Sequence, residues 1–465
     1  MRLKGSFLFL SFIFLISVYK ASKVEACPDF YWYLMDGKYF VENNKLPQND
    51  YIFLPSEEWI AHSLYFEALL YLVYKKFGNK GIYFLKNFLL SFIFFLIIYL
   101  IKRKTEVILN FLIIYIPIYT LFFWGTTLRP HFFTYLSTIL ILLIIEKEIY
   151  FFTIPVLIFF SLFHAGIIAP IGICVIYLLN LLIKKNFKKT IILFIYIILS
   201  IILIIIFNPY HIKYFEYIYK ALTEKIVIWS KYITEWETIL IPIFVEKNFY
   251  YIISFIFILS FISIFLISPL KKEFYHTLLI ILFFYFSLKH VRNIPLFAII
   301  SAFIVPSHFN KISKFKLKFD FFENKIFLKI FLLIINIFLV IKIFLQEKKI
   351  VIDENFFSVK AVYFLKNNRE GGNILCPSDR GGFVEYFLYP DFKVSLDGRL
   401  SVKTYVLEEF FKFWNLEIDP ETYIKKYKPN FILTENKMIL TKKLLSIPYL
   451  KVIYKDKNFT IFELK

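Results

Sequence analysis

Long runs of Ile, Leu and Phe return along this chain at roughly 25-residue spacing, about the length a helix needs to cross a bilayer and turn back. A sequence that is 59% hydrophobic and 22% aromatic, with a mean hydropathy of +0.66, has too little polar surface for a soluble enzyme of 465 residues. The expected fold class is therefore a polytopic α-helical membrane protein. The spacing places spans at residues 6–21, 82–101, 107–124, 132–146, 149–164, 167–183, 190–207, 249–268, 274–288, 294–307 and 326–345, about eleven transmembrane helices. The apolar run at the start follows Arg2 and Lys4 like a signal peptide, but VEAC is a poor cleavage sequence, so it reads as an uncleaved first span. Residues 60–74 read as an amphipathic surface helix or a further short span.

A formal charge of +20 would suit nucleic acid, yet Lys is abundant here beside Ile, Phe, Tyr and Asn as a general bias, and many lysines fall between spans. No nucleic-acid partner is expected; membrane lipids are. Short basic clusters at Arg2 and Lys4, at 102–104, at Lys184, Lys185, Lys188 and Lys189, at Lys271 and Lys272, and at Lys311 to Lys325 all share one side if the N-terminus is inside. That pattern puts the N-terminus in the cytoplasm, the first outer loop at 22–81, and the tail outside a cytoplasmic membrane. From Gln346 to Lys465 the composition becomes that of an extracytoplasmic soluble α/β domain, with the transmembrane domain at 1–345. Helices are expected at 356–366 and 406–414, and strands at 373–376, 392–396, 430–434, 451–454 and 459–464. Cys27, Cys174 and Cys376 form no CxxC pair; they read as unrelated small residues, with a Cys27–Cys376 disulfide open if both face an oxidising compartment.

On this topology the unusual polar residues collect at the outer ends of the spans. They are Asp29, Trp32, His62 and Glu67 in the first loop, Arg129 and His131 in LRPHFF, His164 in FHAG and Asn208 in FNPY. Glu235 and Trp236 follow in TEWET, and His290, Arg292 and Asn293 in KHVRN. Ionisable groups at a membrane boundary are costly unless they face water or one another, so their agreement in side points to an outward polar cavity. Asp29, just after Pro28, is the candidate general base, with Trp32 placed to lie along a sugar face and Glu67 as a second catalytic carboxylate. Asp36 would share a face with Asp29 two turns on if 28–40 is helical, but beside Gly37 it reads as a solvated residue. Arg129 and Arg292, with the histidines, suit a phosphate or pyrophosphate, because a planar guanidinium offers paired donors. A divalent metal through Asp29, His62 and Glu67 is conceivable, but no HExxH-like spacing supports it, and the cofactor stays unassigned. Asp397 and Arg399 in SLDGR read as a turn with its salt bridge.

The order of PDFYWYLMDGKYFVENNKLPQND, EEWIAHSLYFEALLYLVYKKFG, LRPHFFTYL, LFHAG, FNPY, TEWET and KHVRNIPLF resembles the GT-C superfamily of membrane glycosyltransferases, near its RgtA/B/C/D-like and protein mannosyltransferase-like bacterial members. The likeness runs over about residues 1–310, and RGGFVEYFLYP with VSLDGR resembles the outer C-terminal domain of that group. The resemblance implies transfer of a sugar from a polyprenyl-phosphate donor to a glycan, lipid or protein acceptor on the outer face, with an acidic residue of the first outer loop as base or metal ligand. Asp29 matches that position, although the mannosyltransferase pattern has an adjacent acidic pair where this chain has Phe30. An oligosaccharide polymerase or ligase shares the same outer-face chemistry. A transporter or flippase of lipid-linked solutes would be expected to carry midplane ionisable sites and internal repeats, which the sequence lacks, and a non-catalytic assembly protein would use its outer domain to hold a partner.

Overall fold

The computed structural model describes residues 5–21, 24, 25, 27–104, 128–312, 325–345 and, apart from 352 and 355, 350–465. The chain forms two compact units, one of Met1–Val24, Asn79–Phe215 and Trp229–Lys349, the other of Glu25–Gly78, Glu216–Ile228 and Ile350–Lys465.

The first unit is helical. Each expected span within the described residues coincides with a helix: Gly5–Ala21, the later part of Leu64–Lys104, His131–Lys147, Thr153–Phe163, Ile168–Ile183, Phe187–Phe207, Phe249–Ile267, Phe274–Lys289, Ile294–Ile312 and Ile326–Leu345. The expected span at 107–124 lies outside the described residues. Among the described residues, six helical stretches are long and apolar enough to cross a membrane, and Tyr150–Phe163 and Phe274–Lys289 are shorter apolar ones. Burial ranks them: the apolar window of Val291–Ile312 is 78% buried and that of Ile326–Ile343 only 17%, so the former is central to the unit and the latter peripheral. Bare Phe, Ile and Leu along Phe187–Phe207 and Phe249–Ile267 are what lipid-facing surfaces require. Loops expected on one side of the membrane meet one another. Arg103 and Lys104 pair with Glu146, Lys189 with Glu148 and Lys184 with Glu273, while Asn310 Nδ2 donates to the Lys104 carbonyl at 2.8 Å. This is the pairing that antiparallel helices joined by short turns produce.

The second unit carries a five-stranded sheet of β1 (Gly372–Leu375), β2 (Phe392–Val394), β3 (Phe431–Glu435), β4 (Leu450–Lys455) and β5 (Phe459–Leu464), in the order β2-β1-β3-β5-β4. β1 runs parallel to β2 and β3, and β5 antiparallel to β3 and β4. Each expected strand is present. The helix Ser378–Leu388 was not among the elements expected from the sequence; a Cβ on its Gly381 would sit 2.0 Å from the Leu396 carbonyl oxygen. Residues 25–78 fold with this sheet rather than apart from it. The helix Phe30–Asn43 packs on Ser378–Leu388, and the stretch after it covers the free edge of β2: Phe53 N–H donates to the Val394 carbonyl at 3.0 Å and Val394 N–H to that of Tyr51 at 2.9 Å. Residues 64–71 are no surface helix. Leu64, Phe66, Glu67 and Leu70 are buried in this unit, and the helix breaks at Gly78, whose φ of 57° suits a residue without Cβ. Cys27, Cys174 and Cys376 are all buried free thiols.

Candidate functional site

In the sheet-bearing unit, Asp29 occupies the N-cap position of Phe30–Asn43 but gives that helix no side-chain cap; its Oδ1 instead accepts from Trp32 Nε1 at 3.1 Å. A helix N-terminus favours a carboxylate, and the indole fixes which oxygen points where. Gly398 closes over this pair, since a Cβ there would lie 2.2 Å from Asp29 Oδ1 and 2.6 Å from Trp32 Nε1. Gly398→Ala should therefore break the Trp32–Asp29 hydrogen bond and cost about 1–3 kcal/mol. Thermal unfolding matching wild type would show that the contact is not held in solution.

Deeper in the unit lies a buried ionic cluster. Arg399, whose side chain is 0% exposed, reaches Asp36 Oδ1 at 3.4 Å, Asp397 Oδ2 at 3.0 Å and Glu385, and its guanidinium lies 4.3 Å from the Tyr51 ring centre. Trp59 Nε1 donates to Asp36 Oδ2 at 2.8 Å and the Tyr51 hydroxyl to Oδ1 at 3.3 Å. Glu67 accepts from Ser63 Oγ, one helical turn before it, at 2.7 Å, while Oε2 of Glu67 and Oε2 of Glu385 are buried without a hydrogen-bond partner among the described residues. Asp36 is thus not the solvated neighbour of a turn glycine. Gly37 is glycine because a Cβ would sit 2.1 Å from the Glu67 carbonyl oxygen, and Asp36 is turned fully inward. Asp397 and Arg399 do form the expected turn and salt bridge, with Arg399 N–H donating to Asp397 Oδ1 at 2.9 Å, but as part of this core. His62 stacks on Tyr217, ring centres 4.9 Å apart, and Trp59 lies edge-on to both His62 and Trp32.

Burial raises the Asp36 carboxyl from 3.8 to about 6, against the pull of Arg399 and the Trp59 hydrogen bond. Burial likewise raises Glu385. A carboxyl whose folded pKa exceeds its unfolded value stabilises the fold while protonated, so this contribution is present below about pH 4 and lost as pH rises through about 6. Stability should fall by a few kcal/mol, order of magnitude, across that window, and Asp36→Asn should flatten the fall. A melting temperature that climbs from pH 4 to 6 in wild type, or an unaltered slope in the variant, would contradict this.

The helical unit holds a second cluster. Arg129 pairs with Glu235, Arg292 lies 4.1 Å from the Trp236 ring centre, and Trp236 packs edge-on to His290 at 5.4 Å. The TEWET and LKHVRN segments are tied together by hydrogen bonds: Val291 N–H donates to the Glu237 carbonyl at 3.1 Å, Ile239 N–H to that of Leu288 at 3.0 Å, and the His290 side chain, through Nδ1–H, to that of Trp236 at 2.6 Å. Burial alone would raise Glu235, but the charges of Arg129 and Arg292 outweigh it and hold the carboxyl below its ordinary range. His131 opens its helix beside Phe132 and Tyr135, within the field of the same charges. The remaining candidates do backbone work. His164 Nδ1 accepts from Gly166 N–H at 3.2 Å and bonds Thr134 Oγ1 at 2.7 Å where two helices break, Asn208 Oδ1 accepts from Tyr210 N–H at 3.0 Å, and Asn293 Nδ2 donates to the Phe286 carbonyl at 3.3 Å. Tyr214, not singled out in the sequence, donates its hydroxyl to the carbonyls of Ser161 and His164 at that break, at 2.9 and 3.2 Å.

Among the described residues no group of three or more His, Cys, Asp and Glu side chains is arranged to hold a metal ion, so Asp29, His62 and Glu67 do not form the ligand set considered from the sequence.

No family model matches the chain, and no curated protein matches it. Among solved structures, the crystal structure of the Archaeoglobus fulgidus oligosaccharyltransferase in the apo form is similar to 91% of this chain and 69% of its own, with a TM-score of 0.56 at 10% identity. At that identity the likeness carries the fold alone: this chain shares the fold of that solved structure.

Proposed function

We propose that this chain is a membrane glycosyltransferase that moves a sugar from a polyprenyl-phosphate-linked donor to an acceptor on the outer face of the cytoplasmic membrane. The observation that carries the reading is the pair of arginines, Arg129 and Arg292, both acting on one carboxylate, Glu235, beside Trp236 and His290. Two partly buried guanidiniums, Arg129 paired with Glu235 and Arg292 over the ring of the adjacent Trp236, offer the paired donors that a lipid phosphate needs. The fold shared with a solved oligosaccharyltransferase, together with the sequence resemblance to GT-C enzymes, supports the same class of chemistry.

In this reading Asp29 accepts the proton of the acceptor hydroxyl as its oxygen forms a bond to the anomeric carbon. The bond from that carbon to the phosphate oxygen breaks, and the lipid phosphate leaves with the electron pair, an inverting displacement. Arg129, Arg292 and His131 stabilise the departing charge, and Trp32 lies along the sugar. The positive-inside pattern supports an N-terminus in the cytoplasm and residues 346–465 outside.

The test is transfer of radiolabelled sugar from polyprenyl-phosphate donors by the purified protein in lipid. Arg129→Ala should lower kcat/KM about 10²–10³-fold, the usual loss when a donor to developing charge is removed. Transfer unchanged in that variant would sink the phosphate role of Arg129.

A further inference from the structure

The anion site leaves the number of donor phosphates open, and its own charge bears on that. Arg129 and Arg292 bring two positive charges and Glu235 one negative, a formal net of one positive. Glu235 is built into the site. Its neighbours Trp236 to Ile239 are hydrogen-bonded, through backbone and side chains, to Leu288, His290 and Val291, and its side chain, 24% exposed, meets that of Arg129, 16% exposed. In such partial burial an unmatched charge is weakly screened, so the balance of charges discriminates between ligands that differ by one.

We infer that Glu235 is a specificity residue that fits this site to a singly charged lipid phosphodiester and disfavours a doubly charged lipid diphosphate. The inference rests on the phosphate-site reading above. A phosphodiester cancels the net charge that Glu235 leaves. A diphosphate diester would set its second negative charge against the Glu235 carboxylate.

The experiment measures binding of two synthetic probes, phytanyl methyl phosphate and phytanyl methyl diphosphate, to the full-length protein in nanodiscs. Wild type should bind the monophosphate about tenfold more tightly than the diphosphate. Glu235→Gln should raise diphosphate affinity about tenfold more than monophosphate affinity, erasing the preference, whereas Glu235→Asp, which keeps the charge, should retain it. A wild type that favours the diphosphate, or a Gln variant that moves both probes equally, overturns the inference. Arg129→Ala separates the two levels: if it weakens both probes while no charge preference exists, only the role of Glu235 is lost, and if it changes neither, the phosphate site itself is lost.

Discussion

Arg399→Ala is expected to cost about 3–5 kcal/mol of folding stability, because it removes the cation that three buried carboxylates share. Asp36, Asp397 and Glu385 all contact this guanidinium, and the side chains of all four are 0% exposed. Removing one member of a buried ionic group leaves the others charged in a medium that cannot solvate them, which is costlier than never having built the group. Burial already holds Asp36 and Glu385 above their usual range, so the cluster is short of positive charge even in wild type. It follows that the Ala variant should recover part of its loss near pH 5, where the carboxyls take up protons, and that Asp36→Asn in the same background should recover part of it at pH 7. Arg399→Lys keeps the charge but not the planar fork that reaches several oxygens at once, and should fall between wild type and Ala. Thermal unfolding of the solubilised full chain, with protease susceptibility of residues 350–465, measures this. An Ala variant within 1 kcal/mol of wild type would show that the carboxyls are already neutral and the cluster is not ionic.

Much of the architecture was legible because it rests on period. Apolar runs of bilayer length became helices, and short β-branched and aromatic runs became β1 to β5 within a residue or two. What escaped the sequence was long-range contact. The Arg129–Glu235 pair joins residues 106 apart, and no spacing rule connects them; only the shared outer side of their loops hinted at it. Asp36 was misjudged because a glycine beside an acidic residue signals a solvated turn, whereas Gly37 serves a close backbone approach to Glu67. Within Ser378–Leu388, Gly381 likewise meets the Leu396 carbonyl and Gly382 meets Trp32. In each case the glycine was visible and its partner was not. The motifs VSLDGR and RGGFVEYFLYP looked like features of a separate tail, yet their Arg399, Gly398 and Glu385 complete the surroundings of Asp29 and Asp36.

Asp29→Asn should lower kcat for sugar transfer about 10²–10⁴-fold, the range that loss of a positioned general base produces. The variant is informative because it changes so little else. The amide oxygen can still accept from Trp32 Nε1, now 3.1 Å from Asp29 Oδ1, and the space beneath Gly398 is unaltered, so fold and helix start should persist. Donor binding, which the proposal assigns to Arg129 and Arg292, should stay within a few-fold of wild type, placing the loss in kcat rather than in KM. Asp29→Glu retains basicity but moves the carboxylate by one methylene against Gly398, and should lose about 10²-fold through misplacement alone. If both substitutions leave transfer intact while Arg129→Ala abolishes it, Asp29 is a structural residue at the N-cap position and the proton must go elsewhere. Glu67 would then be the carboxylate to replace, because its Oε2 is buried with no hydrogen-bond partner among the described residues. A loss seen with Asn and Glu alike, with donor affinity kept, assigns the base to Asp29 and makes the Trp32–Gly398 contact the device that aims it.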